Sequence, residues 1–201
     1  MNHLLSKIGS YPFEKLNLLL KDIKPSKDVI NLSIGEPKLS ADSKVLDILN
    51  KETNSFSNYP PMNAVPELSE AYRQYLKSHF GIKNVAEDEV CLVAGTREGT
   101  FSIIQALFNK ENVKEKPYVV MPNPFYQIYG GATTLAGGEA KFLDCPEKDN
   151  FQPDLDSLKS EDWQKCQILV ICSPNNPTGS VLPLSKLKDI LDLADKYDFY
   201  V

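Results

Sequence analysis

Apolar positions along this chain follow two spacings, and the two alternate. Leu68, Ala71, Tyr72, Tyr75 and Leu76 recur three and four apart behind Pro66 and ahead of Gly81, which predicts an amphipathic helix over 66–79. The short apolar run 90–93 predicts a strand. A turn at Gly95-Thr96 then opens a strongly apolar helix through Phe101, Ile103, Ile104, Leu107 and Phe108. Further on, the pattern predicts strands over 118–121, 140–143 and 167–172, a helix over 125–135, and a helix over 184–196 with Leu187, Ile190, Leu191 and Ala194 turned inward. Phe199-Tyr200-Val201 reads as the start of one more strand. Strands separated by helices of this length form βαβ units, so the expected fold class is α/β with a doubly wound, mostly parallel sheet.

The segment after the strand over 167–172 carries the most specific chemistry. It reads Ser173-Pro174-Asn175-Asn176-Pro177-Thr178-Gly179, at the carboxyl end of a strand buried on both faces. Ligands of open α/β sheets bind at that end. The two prolines restrict their own φ and bias the preceding residues toward extended backbone, which can hold the Asn176 amide in one place as a donor. Asn, Pro and Gly also make ordinary surface turns, but seven in this order after a buried strand are far more specific. The heptad resembles the signature of the class I and II aminotransferases, which use pyridoxal 5'-phosphate on the fold called type I. The resemblance implies that Asn176 hydrogen-bonds the 3-hydroxyl of the cofactor ring and faces the substrate.

Three more segments fit the same resemblance. Gly95-Thr96-Arg97-Glu98-Gly99 joins a predicted strand to a helix, whose amino terminus carries unpaired N–H groups and the positive end of the dipole and so suits a phosphate. Alone it would serve a nucleotide phosphate or simple packing equally well; the resemblance implies that Thr96, Arg97 and Glu98 cradle the cofactor phosphate. Tyr126, in Pro122-Asn123-Pro124-Phe125-Tyr126, matches the family's ring-stacking position, although Phe125 and Tyr126 could by themselves be core residues opening a helix. Gly35, in Leu32-Ser33-Ile34-Gly35-Glu36-Pro37, matches the glycine whose backbone approaches the substrate carboxylate. Tyr59 matches a tyrosine that reaches the phosphate of a neighbouring subunit and implies a homodimer. That segment departs from the family pattern, with Ala64 where glycine and Ser69 where arginine are usual.

Composition narrows the alternatives. With 201 residues, 42% hydrophobic and 24% charged, the chain can build a globular core. A net charge of -5 without a basic cluster argues against nucleic acid or an anionic membrane as partner. No secretory or membrane-spanning pattern is legible, so cytoplasm is the expected compartment. Cys91, Cys145, Cys166 and Cys172 lack metal or disulfide spacing, and Cys91 and Cys172 read as small core residues. His3 and His79 lack catalytic partners in sequence, and Trp163 sits in a polar connection without an assignable role.

The resemblance covers essentially the whole chain and implies that residues 1–42 form an amino-terminal arm and small-domain segment, with 43–201 the first half of the cofactor-binding domain. None of the twenty lysines lies in a recognisable Schiff-base segment, and the arginines are Arg73 and Arg97. The expectation is therefore that the catalytic lysine lies beyond Val201, that these residues are the amino-terminal half of a larger enzyme, and that alone they do not catalyse transamination. Tyr11-Pro12-Phe13-Glu14-Lys15-Leu16, Ile34-Gly35-Glu36-Pro37-Lys38 and Gly95-Thr96-Arg97-Glu98 are similar to the N-succinyldiaminopimelate aminotransferase branch of lysine biosynthesis. That similarity implies 2-oxoglutarate as the oxo acid; since such a substrate carries several carboxylates, Arg97 or Lys38 is a candidate to neutralise a distal one, the alternative being that Lys38 is a solvated loop charge and Arg97 serves phosphate or helix capping. A C-S lyase or decarboxylase of the same fold, or a non-catalytic aminotransferase-like domain, would share these motifs.

Overall fold

A computed structural model describes residues 2–9, 11–37, 39–57, 59, 66–111 and 117–201. The chain divides into two compact units, one built from 1–11 and 93–201 and the other from 12–92.

The first unit is organised by a parallel sheet. Strands β1 (Tyr118–Asn123), β2 (Glu139–Asp144) and β3 (Cys166–Leu169) lie in the order β2-β1-β3. Tyr118 stands opposite Glu139 on one side, and Val119 opposite Ile168 on the other. The expected strand start near 199–201 is present as a parallel bridge between Ile168 and Tyr200 on the outer edge of β3. Side chains alternate across the sheet as a two-residue period requires. Val119, Met121 and Ile168 pack under α4 (Thr96–Leu107) and α5 (Ile128–Ala136), with Ile104, Phe108, Tyr129 and Ala132. Val120, Leu143 and Leu169 face the other way, toward Trp163 of α6 (Ser160–Gln164) and Ile190 of α7 (Leu184–Tyr197). The doubly wound, mostly parallel arrangement is thus realised, with helices on both faces.

Long-range side-chain bonds fix the helices to this frame. Gln105 of α4 donates to the carbonyl of Ala132 in α5 at 2.8 Å. The Gln167 amide accepts from Asn109 N–H at 2.8 Å and donates to its carbonyl at 2.7 Å, closing the end of α4 onto β3. Gly138 permits contact of another kind, because a Cβ there would meet the Phe108 ring at 2.5 Å.

Several local expectations change in three dimensions. Residues 90–93 form no strand; Glu87–Glu89 is a short 3-10 turn and Val93 is half exposed, since no described strand offers this run a hydrogen-bonding ladder. β3 ends at Leu169, with one further ladder bond from Val170 N–H to the Val120 carbonyl at 2.9 Å, before the chain turns into the heptad. Leu191 is exposed whereas Leu193 packs against the core, so the inward face of α7 is rotated from the expected one. Trp163 is buried at 3% exposure and stacks on Phe199 at 5.5 Å, which makes it a core residue. Cys91 is exposed and Cys172 half-buried; the buried cysteines are Cys145 and Cys166.

Burial pushes the Cys166 thiol from its ordinary 9.0 up to about 12. Below pH 9.0 the folded and unfolded forms both hold this proton; above it the unfolded chain releases the proton first, so stability falls as pH rises toward about 12. Tyr129, raised from 10.0 to about 12 mainly by burial, acts in the same direction. Cys166→Ala is expected to flatten part of that fall, as measured by urea midpoints on either side of the window.

The second unit contains α1 (Pro12–Leu20), α2 (Ser43–Lys51) and α3 (Pro66–Phe80). The Asp42 carboxylate caps α2 by accepting from Lys44 N–H at 2.8 Å. Helix α3 spans the expected residues and ends at Gly81, with φ +70. Its apolar stripe is not packed inward: Leu68, Tyr72 and Tyr75 are exposed, and Tyr75 stacks on His79 at 4.2 Å. Among the described residues of this unit only Ser69 is buried.

Candidate functional site

The helix following β1 lies on one face of the sheet and the helix following β3 lies on the other. The chain therefore diverges above these neighbouring strands, which makes their carboxyl ends the switch point at which doubly wound sheets bind ligands. Both motif loops emerge there, 124–127 after β1 and 173–179 after β3.

The heptad loop is held from within by Asn175. Asn175 is buried; its N–H donates to the Ser180 carbonyl at 2.8 Å, its carbonyl accepts from Gly179 N–H at 2.7 Å, and its side-chain amide donates to Thr178 Oγ1 at 3.0 Å. Thr178 Oγ1 in turn accepts from Ser180 N–H at 3.3 Å, and Ser173 Oγ accepts from Leu182 N–H at 3.0 Å. Gly179 has φ +74, the left-handed region that closes the turn and that glycine enters without penalty. These bonds turn one asparagine inward as a staple and leave the next, Asn176, exposed above it.

Helix α4 begins at Thr96 behind Gly95, whose φ of 136 and ψ of 147 belong to a region open almost only to glycine. A glycine cap has no side chain to accept from the first turn, so the N–H groups of Thr96, Arg97 and Glu98 open the helix without a side-chain cap bond from Gly95. A Cβ built on Gly95 would fall 2.6 Å from the Glu98 carboxylate, so the space above the cap is tight. One groove is lined by Thr100 and Ile103 from the first half of α4 and by Val170 and Ile171 after β3, which sets α4's start at the heptad's end of the sheet.

Tyr126 is half-buried and meets Tyr129 edge-on at 5.7 Å and 89°. Burial, and after it Cys172, pushes the Tyr129 phenol up to about 12. Gly35 and Tyr59 belong to the second unit. A Cβ on Gly35 would meet nothing within 4 Å, and Tyr59 is fully exposed. Lys38 and Ala64 lie outside the described residues. No group of His, Cys, Asp and Glu among the described residues could hold a metal ion, and no described helix is long and apolar enough to cross a membrane.

The family model for aminotransferase class I and II matches residues 27–201. The chain belongs to that family. It is 29% identical to LL-diaminopimelate aminotransferase 2 of a Nostoc species, over 96% of this chain and 49% of that protein, and 29% identical to an aspartate aminotransferase of Pyrococcus horikoshii, over 93% and 46%. An aminotransferase from Neisseria meningitidis superposes with a TM-score of 0.90 at 40% identity, covering 99% of this chain and 51% of its own. The aminotransferase AspB of Helicobacter pylori follows at 0.86 and 33%, covering 96% and 50%. The chain thus spans about half the length of the relatives it matches, and its sheet is part of the fold type I aminotransferase domain.

Aminotransferases of this family use pyridoxal phosphate. The residues present fit that group: a glycine-capped helix start with no side-chain cap bond suits a phosphate, a half-buried tyrosine can cover a flat ring, and an exposed amide on a stapled loop can meet a ring hydroxyl. Sequence reasoning singled out Asn176 and the prolines but missed Asn175. The signal available was the Asn175-x-x-Thr178 spacing, which lets a side-chain amide bond a hydroxyl within one turn.

Proposed function

We propose that this chain contributes the cofactor-holding half of an enzyme that moves an amino group between an amino acid and a 2-oxo acid. The observation that supports this reading is the Asn175-stapled loop that leaves Asn176 exposed just after β3, with the glycine-capped start of α4 set toward the same end of the sheet and Tyr126 following β1. Thr96, Arg97 and Glu98 hold the phosphate of pyridoxal phosphate through the first turn of α4, where the helix dipole favours a dianion. Tyr126 covers the ring and sets its tilt. Asn176 donates to the ring hydroxyl, and Gly35 presents backbone to the substrate carboxylate. When bound, the cofactor supplies an electron-poor ring that can accept the electron pair of a bond broken at the substrate α-carbon. Residues 1–42 belong in this reading to an arm and small-domain segment, with 43–201 in the cofactor domain.

The relatives' names point to amino donors with a second charged end, diaminopimelate and aspartate. We extend the reading to N-succinyldiaminopimelate with 2-oxoglutarate, with Arg97, exposed at the start of α4, or Lys38 facing the distal carboxylate. A homodimer that brings Tyr59 to a neighbour's phosphate belongs to the same proposal. The exposed Leu32, Leu39 and Tyr59 support it as apolar surface available for burial.

Titration with pyridoxal phosphate, followed by the 31P shift, tests the core of this reading. Asn176→Ala is expected to lose a hydrogen bond to an ionised partner, about 1.5–3 kcal/mol, or roughly ten- to hundredfold in affinity. Unchanged affinity would remove Asn176 from the site. In the active protein, oxo-acid-dependent turnover separates amino transfer from lyase or decarboxylase chemistry. Arg97→Ala should lower the preference for succinylated substrate over glutamate, and light scattering of the same preparation should give a dimeric mass.

A further inference from the structure

Gln152 lies in the connection between β2 and α6, far in sequence from the heptad, yet it bonds directly to the end of that loop. Its amide nitrogen donates to Ser180 Oγ at 2.6 Å and to the Val181 carbonyl at 2.9 Å. A carbonyl can only accept, so the Val181 bond determines which end of the amide points at the loop. The other end, Oε1, is buried without a partner, a cost incurred in placing the donor.

The backbone before Gln152 is strained. Asn150 and Phe151 take φ of 52 and 56 in succession, neither being glycine, and a bulky residue in that region is a genuine outlier. Such conformations persist only where the surroundings over-determine them. Here Phe151 N–H donates to the Pro146 carbonyl at 3.1 Å, Gln152 N–H to that of Asp149 at 3.1 Å, and Asp154 N–H to that of Asp144 at 2.8 Å. Phe151 and Pro153, on either side of Gln152, line a small cavity with Asn175, Ser180 and Leu182. The turn therefore inserts this segment beneath the heptad loop with the Gln152 amide aimed at it.

We infer that Gln152 is a positioning residue for Asn176. Ser180 is the link: it receives the Gln152 donor, its carbonyl accepts from Asn175 N–H, and its N–H donates to the Thr178 hydroxyl that also holds the Asn175 side chain. Asn176 stands between these anchored neighbours, so releasing Ser180 frees the amide that meets the ring hydroxyl. The inference rests on the reading of 173–179 as the cofactor loop.

Gln152→Met keeps length and shape without the donors, and Gln152→Glu replaces them with acceptors facing a carbonyl. Both should speed amide exchange at Asn175 and Gly179 by about tenfold while leaving β1 amides unchanged. Pyridoxal phosphate affinity should fall by about tenfold in the Asn176 background and show no further fall once Asn176→Ala is present, as a double-mutant cycle reads it. Unchanged exchange at Asn175 and Gly179 overturns the latch. An equal loss of affinity with and without Asn176 overturns its action through that residue. Absence of pyridoxal phosphate binding in the unaltered protein, with the exchange effect intact, overturns the cofactor reading and leaves the latch standing.

Discussion

Trp163→Ala is expected to destabilise the unit of 93–201 by about 3–5 kcal/mol, the range for emptying a large aromatic site in a packed core. The side chain is 3% exposed, stacks on Phe199 at 5.5 Å and 19°, and shares its cluster with Val120, Leu143, Leu169 and Ile190. Truncation would open a cavity touching a helix, three strands and the segment after α7 at once, so little can collapse into it. A typical domain holds only about 5–15 kcal/mol in total, and the variant would sit close to the folding threshold. Trp163→Phe keeps a ring against Phe199 and should lose much less. Because Trp163 is the only tryptophan, the midpoints are best followed by circular dichroism. Equal midpoints for wild type and Trp163→Ala would contradict the packing described.

Gly95→Ala should act on both stability and ligand. At φ 136 and ψ 147 a Cβ is strained whatever the space around it, at a cost of about 1–3 kcal/mol. Relief of that strain would rotate the peptide ahead of Thr96 and turn the first N–H groups of α4 away from their common direction, so phosphate affinity should fall by roughly tenfold or more. The clash with Glu98 is the lesser factor, since the carboxylate is the far end of a flexible side chain. Combining Gly95→Ala with Glu98→Ala should therefore leave the stability loss in place. Recovery of wild-type stability in the double variant would assign the effect to the clash instead. Phosphate affinity is read by 31P titration with inorganic phosphate.

The elements legible in the sequence are those whose signal is local. β1, β2, α3 and α7 lie close to their predicted positions because apolar spacing and end residues act within a few positions of each other. Residues 90–93 carry as good a strand pattern as 118–121, but a strand also requires a partner, and among the described residues only the second run has one. Trp163 was illegible for the converse reason. Its neighbours Glu161, Asp162 and Gln164 are polar, and its burial depends on Phe199, which is brought to it by β3 and α7.

The candidate site divides in the same way. By itself the sequence determined the heptad, the glycine ahead of α4, the tyrosine after β1 and the alternation that makes a parallel sheet, since each is a choice of residue at a position where backbone freedom or hydrogen-bonding capacity is required. Tertiary structure alone decided which asparagine faces inward, that Gln152 reaches the loop across 28 residues, and that the helices after β1 and β3 take opposite faces of the sheet. Those outcomes depend on segments distant in sequence competing for the same buried volume and the same hydrogen-bond partners, and that competition is resolved only when the sheet and its two helical faces close together.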